Sequence, residues 1–475
     1  MQDPDQNRPD GGATARVILI SFVAALGGFL FGYDSGVING TVSALQQAFD
    51  SDEVGTGFNV ASMLLGCAAG AFFAGSLADK FGRRMAMFIA AAAFIISAWG
   101  SGVAGSSAEF VVFRILGGLA VGAASILAPA YISEVAPAGI RGRLATLQQL
   151  MIVIGLLASF ISNYFIATFA GGASMEHWFG FDAWRWMFWM ELIPASLFFI
   201  LLFFIPESPR YLVAAGKYEQ AESVLQKLIP WESAKAKVEE ILTTVEKDRR
   251  PQLRDIINKA TNKIHPIVWV GIALAILQQF TGINIVFYYG AVLWQAAGFE
   301  EGDALLTNIL SGTVNLAFTF VAIALIDKLG RRMLLLIGSL GTAISLGLLA
   351  IVFGTAGVDP QGDLALTQTQ AAISLFLANS FVAFFAFTWG PVMWVMLGEI
   401  FPNKIRGAAL AVAGLIHWLS NFTITMTFPI LLAGIGLGFS YAIYAAFGFI
   451  AFFFVKAFVR ETKGRTLEEL SKENM

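Results

Sequence analysis

The chain has 475 residues, 57% of them hydrophobic and only 13% charged, against roughly 45–50% and 25% in an ordinary soluble protein. A soluble core cannot hide an apolar excess of that size, so the composition points to a polytopic membrane protein. A net charge of −3 excludes the basic field that attracts nucleic acid, and the single cysteine, Cys67, excludes a disulfide framework or a thiolate metal cluster.

Residues 1–16 are polar and lack the order of basic, apolar and cleavage regions of a secretory signal, so the first apolar segment is expected to stay as a span. Stretches long enough to cross about 30 Å of hydrocarbon follow at 17–39, 57–78, 85–105, 110–133, 144–170 and 185–205, here spans 1 to 6. Spans 7 to 12 are expected at 266–297, 304–326, 333–355, 370–400, 407–433 and 437–459. Between the two sets, residues 206–265 turn abruptly to charged, helix-forming sequence, read as a linker of short surface helices, and 460–475 form a second tail. Lys and Arg gather before span 1 and after the even-numbered spans, including eleven in the 206–265 linker, whereas the alternate loops carry Asp50, Asp52, Glu53, Glu300, Glu301, Asp303, Asp359 and Asp363. The positive-inside bias then predicts both termini, the linker and the basic loops to be cytoplasmic.

The sequence repeats. GSLADKFGRR (75–84) returns as ALIDKLGRR (324–332), SEVAPAGIRG (133–142) as GEIFPNKIRG (398–407), and PESPR (206–210) as RETKG (460–464), at offsets of 248, 265 and 254 residues. Three pairs at a near-constant offset describe two six-span halves, 17–205 and 266–459, in parallel orientation, with a binding site expected at the midplane between them.

In the repeated loops Asp79, Arg83 and Arg84, then Asp327, Arg331 and Arg332, can pair with Glu134 and Arg141, then Glu399 and Arg406; Glu207 and Glu461 stand in the third repeated pair. We expect this set to form a gating network that holds the halves together while the site faces outward and breaks when it opens inward. Basic loops that serve topology alone are the competing reading.

Charges inside spans are costly and are functional candidates. Asp34 in span 1 and Arg114 in span 4 each lie about five residues from the same membrane face. They therefore reach similar depth, where burial and the Arg pull the Asp's protonation in opposite directions. Proton coupling and a static structural ion pair are both compatible with that placement. Glu191 in span 6 is a second acidic candidate, with Arg185 near it in sequence.

Uncharged polar groups cluster as well: Gln148 and Gln149 in span 5, Gln278, Gln279, Asn284, Tyr288 and Tyr289 in span 7, Asn315 in span 8, His417 and Asn421 in span 11. Amides offer donors and acceptors together, which suits a neutral polyol, and Trp389, Trp394 and Trp418 offer flat faces to sugar C–H groups. Gly282 and the Gly390–Pro391 step suggest interrupted helices, common around midplane sites. There is no P-loop, no nucleophile elbow and no metal-spaced His or Cys set, so no enzyme, metal, cofactor or ATP-driven pump is indicated.

On FGYDSGVI (31–38), GSLADKFGRR, RILGGLAVG (114–122), the E-x6-R pairs, PESPR, QQFTGINIVFYY (278–289), WGPVMWVMLGEIFP (389–402) and RETKG, the chain resembles the sugar porter family of the major facilitator superfamily. The resemblance implies an all-α membrane fold of twelve spans and a multi-pass monomer in the lipid bilayer of a bacterial inner membrane, with no nucleic-acid partner. It implies sugar ligands at Gln149, Gln278, Gln279, Asn284, Asn315 and Trp394, with Tyr288, Phe31, Phe385 and Trp418 lining the pocket. An acid at Asp34, paired with Arg114, resembles the proton-coupled members, whereas the animal facilitators carry an amide there. His417 stands where relatives have Asn or Gln as a sugar ligand, Ala386 where the animal facilitators have Glu, and RETKG where PETKG is usual. The expected function is import of a monosaccharide, D-glucose favoured, by proton symport through alternating access. A sugar uniporter and a membrane sugar sensor are the alternatives.

Overall fold

The computed structural model describes residues 11–228, 231–247, 253–258, 262–358, 364–402 and 404–464, and it is nearly all helical. Among the described residues, ten helical stretches are long and apolar enough to cross a membrane. The twelve expected spans emerge from these ten for two physical reasons. Span 6 is split at Met190–Glu191 into Ala183–Trp189 and Leu192–Leu201, each too short alone. Spans 11 and 12 run together as Arg406–Phe458, but Gly436 sits inside at φ +77° and ψ 174°, a conformation open to glycine, and it turns one helix into two at the position expected between them.

Span 1 begins at Gly11, inside the expected polar tail, and ends at Val37. Spans 2 to 5 are Glu53–Phe81, Arg83–Val103, Ser107–Val135 and Ala138–Ala170. Their starts on the acidic face are capped as the sequence allows: the Asp52 side chain accepts from the Gly55 N–H at 2.7 Å and Ser106 caps span 4. Spans 2 and 4 touch through small residues, with Gly66 and Gly70 against the backbone of Ile115–Leu119 and Gly118 and Gly122 against that of Met63–Ala71. Glycines spaced by four put both backbones in contact, and in lipid such close packing takes the place of a hydrophobic driving force.

The second half repeats the first. Spans 8 and 9 are Glu301–Leu329 and Arg331–Gly354. Two spans are interrupted: span 7 is Pro266–Phe280 followed by Ile283–Ala296, broken at Gly282 (φ +83°), and span 10 is Gln368–Phe387 followed by Trp389–Ile400, broken at Thr388. The span 10 break falls two to three residues before the Gly390–Pro391 step that suggests it.

The linker forms short helices, Pro209–Ala214, Tyr218–Leu225 and Trp231–Lys247, around their own small core of Leu212, Val213, Ala221, Leu225, Ala234 and Val238. Two features have no counterpart in the sequence reading: small antiparallel hairpins pairing Ile257–Asn258 with Lys263–Ile264 and Gly357–Val358 with Leu364–Ala365.

Candidate functional site

Arg114 reaches Asp34 from span 4 to span 1 and donates to its Oδ1, while its Nη2 donates to the Asp34 carbonyl at 3.2 Å. The pair is almost fully buried. Met63 Sδ lies 2.9 Å from Arg114 Nη2, and the guanidinium stands 5.6 Å from the Phe188 ring centroid. The second carboxylate oxygen, Asp34 Oδ2, has no hydrogen-bond partner among the described residues. A buried ion pair with an unused acceptor is expensive to maintain as a purely structural device, and the free oxygen is where a proton can be taken up. Glu191, buried at the break of span 6, interacts through space with both members of the pair.

The break at Gly282 separates Gln278 and Gln279, at the end of the first span 7 segment, from Asn284, at the start of the second. From there a chain of amides runs: Asn284 Nδ2 donates to Gln279 Oε1 at 2.5 Å, Gln279 Nε2 to Gln278 Oε1 at 3.3 Å, and Gln278 Nε2 to the Trp389 carbonyl at 2.8 Å. That carbonyl lies beside the span 10 break, next to Thr388. Gln279 Nε2 also lies 3.2 Å from both ring nitrogens of His417. Trp394 and Trp418 stand edge-on to the imidazole at 4.9 and 5.5 Å, and Phe31 of the first half meets Trp418 at 5.8 Å. Asn421 Nδ2 donates to the Tyr288 hydroxyl at 3.3 Å, and Tyr288 is within electrostatic range of Arg114. One connected polar wall therefore carries Gln278, Gln279, Asn284 and His417, with aromatic faces beside it.

Other expected pocket residues stand apart from this chain. Asn315 and Phe385 are buried, and Gln149 is half-buried on span 5; no described hydrogen bond joins either amide to the wall. Its neighbour Gln148 is packed against Gly28 with both amide atoms unpartnered. Trp389 is corrected: it is fully buried with its indole N–H on the Leu335 carbonyl at 3.1 Å and Ser339 Oγ at 3.0 Å, so it anchors span 10 to span 9 and offers no face to a ligand.

On the basic face the charged set forms two copies of one arrangement. In the first half Arg83 pairs with Glu134 at 3.1 Å and with Asp79 at 3.3 Å, and Ser208 Oγ donates to Glu134. In the second, Arg331 pairs with Glu399 at 3.0 Å and Asp327 at 3.1 Å, and Thr462 Oγ1 donates to Glu399. Glu207 accepts from the N–H groups of Arg83 and Arg84, and Glu461 from those of Arg331 and Arg332, each capping the helix that follows its loop. Arg406 Nε donates to the Phe401 carbonyl at 3.2 Å, and the side chain of Arg141 lies outside the described residues. The described ion pairs of this set close within their own half.

Among the contacts that join the halves are those of a residue that the sequence reading passed over. Asn39, buried at the acidic end of span 1, donates to the Phe287 carbonyl at 2.9 Å and accepts from the Ala291 N–H at 3.0 Å and from Asn308 Nδ2 at 2.7 Å. Phe287 and Ala291 are one helical turn apart, so the amide lies alongside a turn of span 7, where Gly290 leaves room for it. Nearby, the Ala173 N–H donates to Glu301 Oε1 at 2.9 Å. The only signal for these contacts was the presence of further amides near span ends. The halves are thus fastened on the acidic face, and Asn39 lies in the 3-10 turn Ile38–Gly40 that directly continues the helix carrying Asp34.

Twelve spans in two repeated halves, a polar wall at interrupted helices and a buried acid–base pair define a membrane transporter. The chain belongs to the sugar (and other) transporter family, whose model matches residues 20–473. It is 51% identical over 455 residues, 96% of this chain and 97% of the relative, to the glucose transport protein of Synechocystis sp. (strain ATCC 27184 / PCC 6803 / Kazusa). It is 42% identical over 486 residues, 96% and 95% of the two chains, to the D-xylose-proton symporter of Escherichia coli (strain K12). Among solved structures, it is similar to the inward open conformation of the xylose transporter XylE from E. coli, with a TM-score of 0.83 at 40% identity over 97% of this chain and 100% of that one. The same symporter bound to 6-bromo-6-deoxy-D-glucose matches with a TM-score of 0.77 at 40% identity, over 97% of this chain and 100% of that one.

Proposed function

We propose that this chain imports a monosaccharide, D-glucose in preference to D-xylose, by proton symport through alternating access. It works as a monomer in a bacterial inner membrane, with the basic face and both termini cytoplasmic. The observation that carries the reading is the buried Asp34–Arg114 pair with its unpartnered Oδ2, set in the same bundle as the Gln278–Gln279–Asn284 chain. The 51% identity to a glucose transport protein supports glucose over pentose, and the 42% identity to a proton symporter supports the coupling.

In this mechanism protonation of Asp34 loosens its hold on Arg114 and frees span 1 to close around a sugar. Gln278, Gln279, Asn284 and His417 exchange hydrogen bonds with sugar hydroxyls, joined by Gln149 and Asn315 as the halves close, while Trp394, Trp418, Phe31, Phe385 and Tyr288 pack on its apolar edges. Glu191 modulates the proton's residence through its interaction with the pair. Closing the acidic face engages Asn39, and the basic-face charge set, now satisfied within each half, releases its hold across the halves.

The test is uptake into proteoliposomes with an imposed pH gradient. Accumulation of D-glucose above the external concentration, accompanied by external alkalinisation, is expected. Equilibration without accumulation, and without any pH change, refutes proton coupling and leaves a uniporter.

A further inference from the structure

The internal repeat isolates a feature of the basic face in which the two halves differ. In both halves the arginine that opens a helix reaches the end of that half's last span. Arg84 Nε donates to the Leu202 carbonyl at 2.9 Å, and Arg332 Nη2 donates to the Lys456 carbonyl at 2.9 Å. In both halves a glutamate, Glu207 or Glu461, caps the same helix. The backbone framework is thus the same twice, with the arginines 248 residues apart and the span ends and glutamates 254 apart. The side chains around it differ: Leu202, Pro206 and Pro209 in the first half stand where Lys456, Arg460 and Lys463 stand in the second.

In the second copy those three positions line a basin. A cavity of about 620 Å³ is lined by Arg332, Lys456, Arg460 and Lys463, with Ala457, Val459 and one carboxylate, Glu461. That carboxylate is engaged by the backbone N–H groups of Arg331, Arg332 and Thr462 at 2.9 to 3.0 Å, so four cations face the cavity against an acid already committed to the backbone. Lys463 Nζ is held 2.6 Å from the Lys328 carbonyl, which ties the end of the last span to the loop before span 9. Directly adjoining the basin, Met333, Phe453 and Phe458 are more than half exposed on the outward surface of spans 9 and 12. This apolar surface belongs to the lipid-facing belt.

We infer that the basin binds a phosphate group, and that its source is the headgroup of an anionic phospholipid whose acyl chains lie along Phe453, Phe458 and Met333. Guanidinium groups match phosphate oxygens in pairs and lysines add point charge, and basic pockets between spans on the cytoplasmic side are suited to such headgroups. Water-soluble phosphate would use the same cations but gain nothing from the apolar belt. A headgroup seated here braces spans 9 and 12 at the point where Glu461 caps span 9. The inference depends on the chain spanning a membrane and not on which sugar or ion it carries.

The purified full-length protein in detergent micelles, observed by native mass spectrometry, separates the possibilities. Dioleoylphosphatidylglycerol, dioleoylphosphatidylcholine and inorganic phosphate are titrated in separate arms. Phosphatidylglycerol should bind about tenfold or more tighter than phosphatidylcholine, and a Lys456→Gln/Arg460→Gln variant should lose that preference. Lys80→Gln, in the first half's loop, should keep it, as should Arg460→Lys. Both substituted side chains are exposed, and an unchanged monodisperse elution profile checks the fold. Equal binding of the two lipids by wild type, or an unchanged preference in the double variant, overturns the site. Displacement of the lipid by millimolar inorganic phosphate overturns the lipid as its source.

Discussion

Asn39→Ala tests the fastening of the acidic face most directly. The wild-type amide makes three buried hydrogen bonds, to the Phe287 carbonyl, the Ala291 N–H and the Asn308 side chain, and all three cross between the halves. At 0.5–1.5 kcal/mol net for each bond, the loss is about 1.5–4.5 kcal/mol. Phe287 and Ala291 can return to each other within their own helix, so we take about 2 kcal/mol, near the low end. At 1.4 kcal/mol per tenfold, the ratio of closed to open acidic faces should fall about thirtyfold. Gln46 of the first half and Ala433 of the second line one crevice on this face and are both exposed, so they take spin labels without disturbing the core. With Cys67 replaced, double electron–electron resonance between labelled cysteines at 46 and 433 should show a long-distance population that grows in Asn39→Ala. An unchanged distance distribution would refute the claim that Asn39 holds this face shut.

Asp34→Asn should retain counterflow exchange of labelled glucose while losing accumulation driven by a pH gradient; accumulation by the variant would exclude Asp34 as the proton carrier. His417→Gln should change the ranking of sugars in a counterflow competition panel by a few-fold while leaving exchange intact, because the ring touches Gln279, Trp394 and Trp418 without touching the ion pair; an unaltered ranking would remove it from the binding wall. Gly282→Ala should lower the thermal unfolding midpoint, because φ +83° costs a side-chain-bearing residue about 1–2 kcal/mol and the Tyr444 ring occupies the space a methyl would need. Glu399→Gln should weaken the Arg331 pair and raise the accessibility of basic-face cysteines to a thiol probe; equal labelling of variant and wild type would confine Glu399 to topology.

Much of the architecture was legible because it is written in local quantities. Hydropathy placed all twelve spans, and Gly436 and the Gly282 break fall where apolar runs meet a residue able to take a left-handed or extended turn. The repeat offsets placed the two charge sets in equivalent positions, and the structure gives each the same pattern: arginine to glutamate, hydroxyl to glutamate, glutamate to helix N-terminus. Chain direction alone put Asp34 and Arg114 at equal depth, and they meet.

The partners were less legible. Sequence placed Trp389 and Trp394 five residues apart in one aromatic group, yet one anchors span 10 to span 9 and the other faces His417. It identified seven span amides but not Asn39 or Asn308, whose importance comes from facing each other across the halves. It named the basic-face charges as one set, and which of them pair, Arg83 with Glu134 and Arg331 with Glu399, came from the packing of each half.

By itself, then, the sequence determined the spans, the twofold repeat, the sorting of basic and acidic loops to opposite faces and the residue types available for a polyol and a proton. Only the tertiary structure decided which side chains meet. The solvation of a segment in lipid depends on its own composition, whereas a hydrogen bond between helices depends on how each is rotated and crossed, and that is set by small-residue packing across the whole bundle.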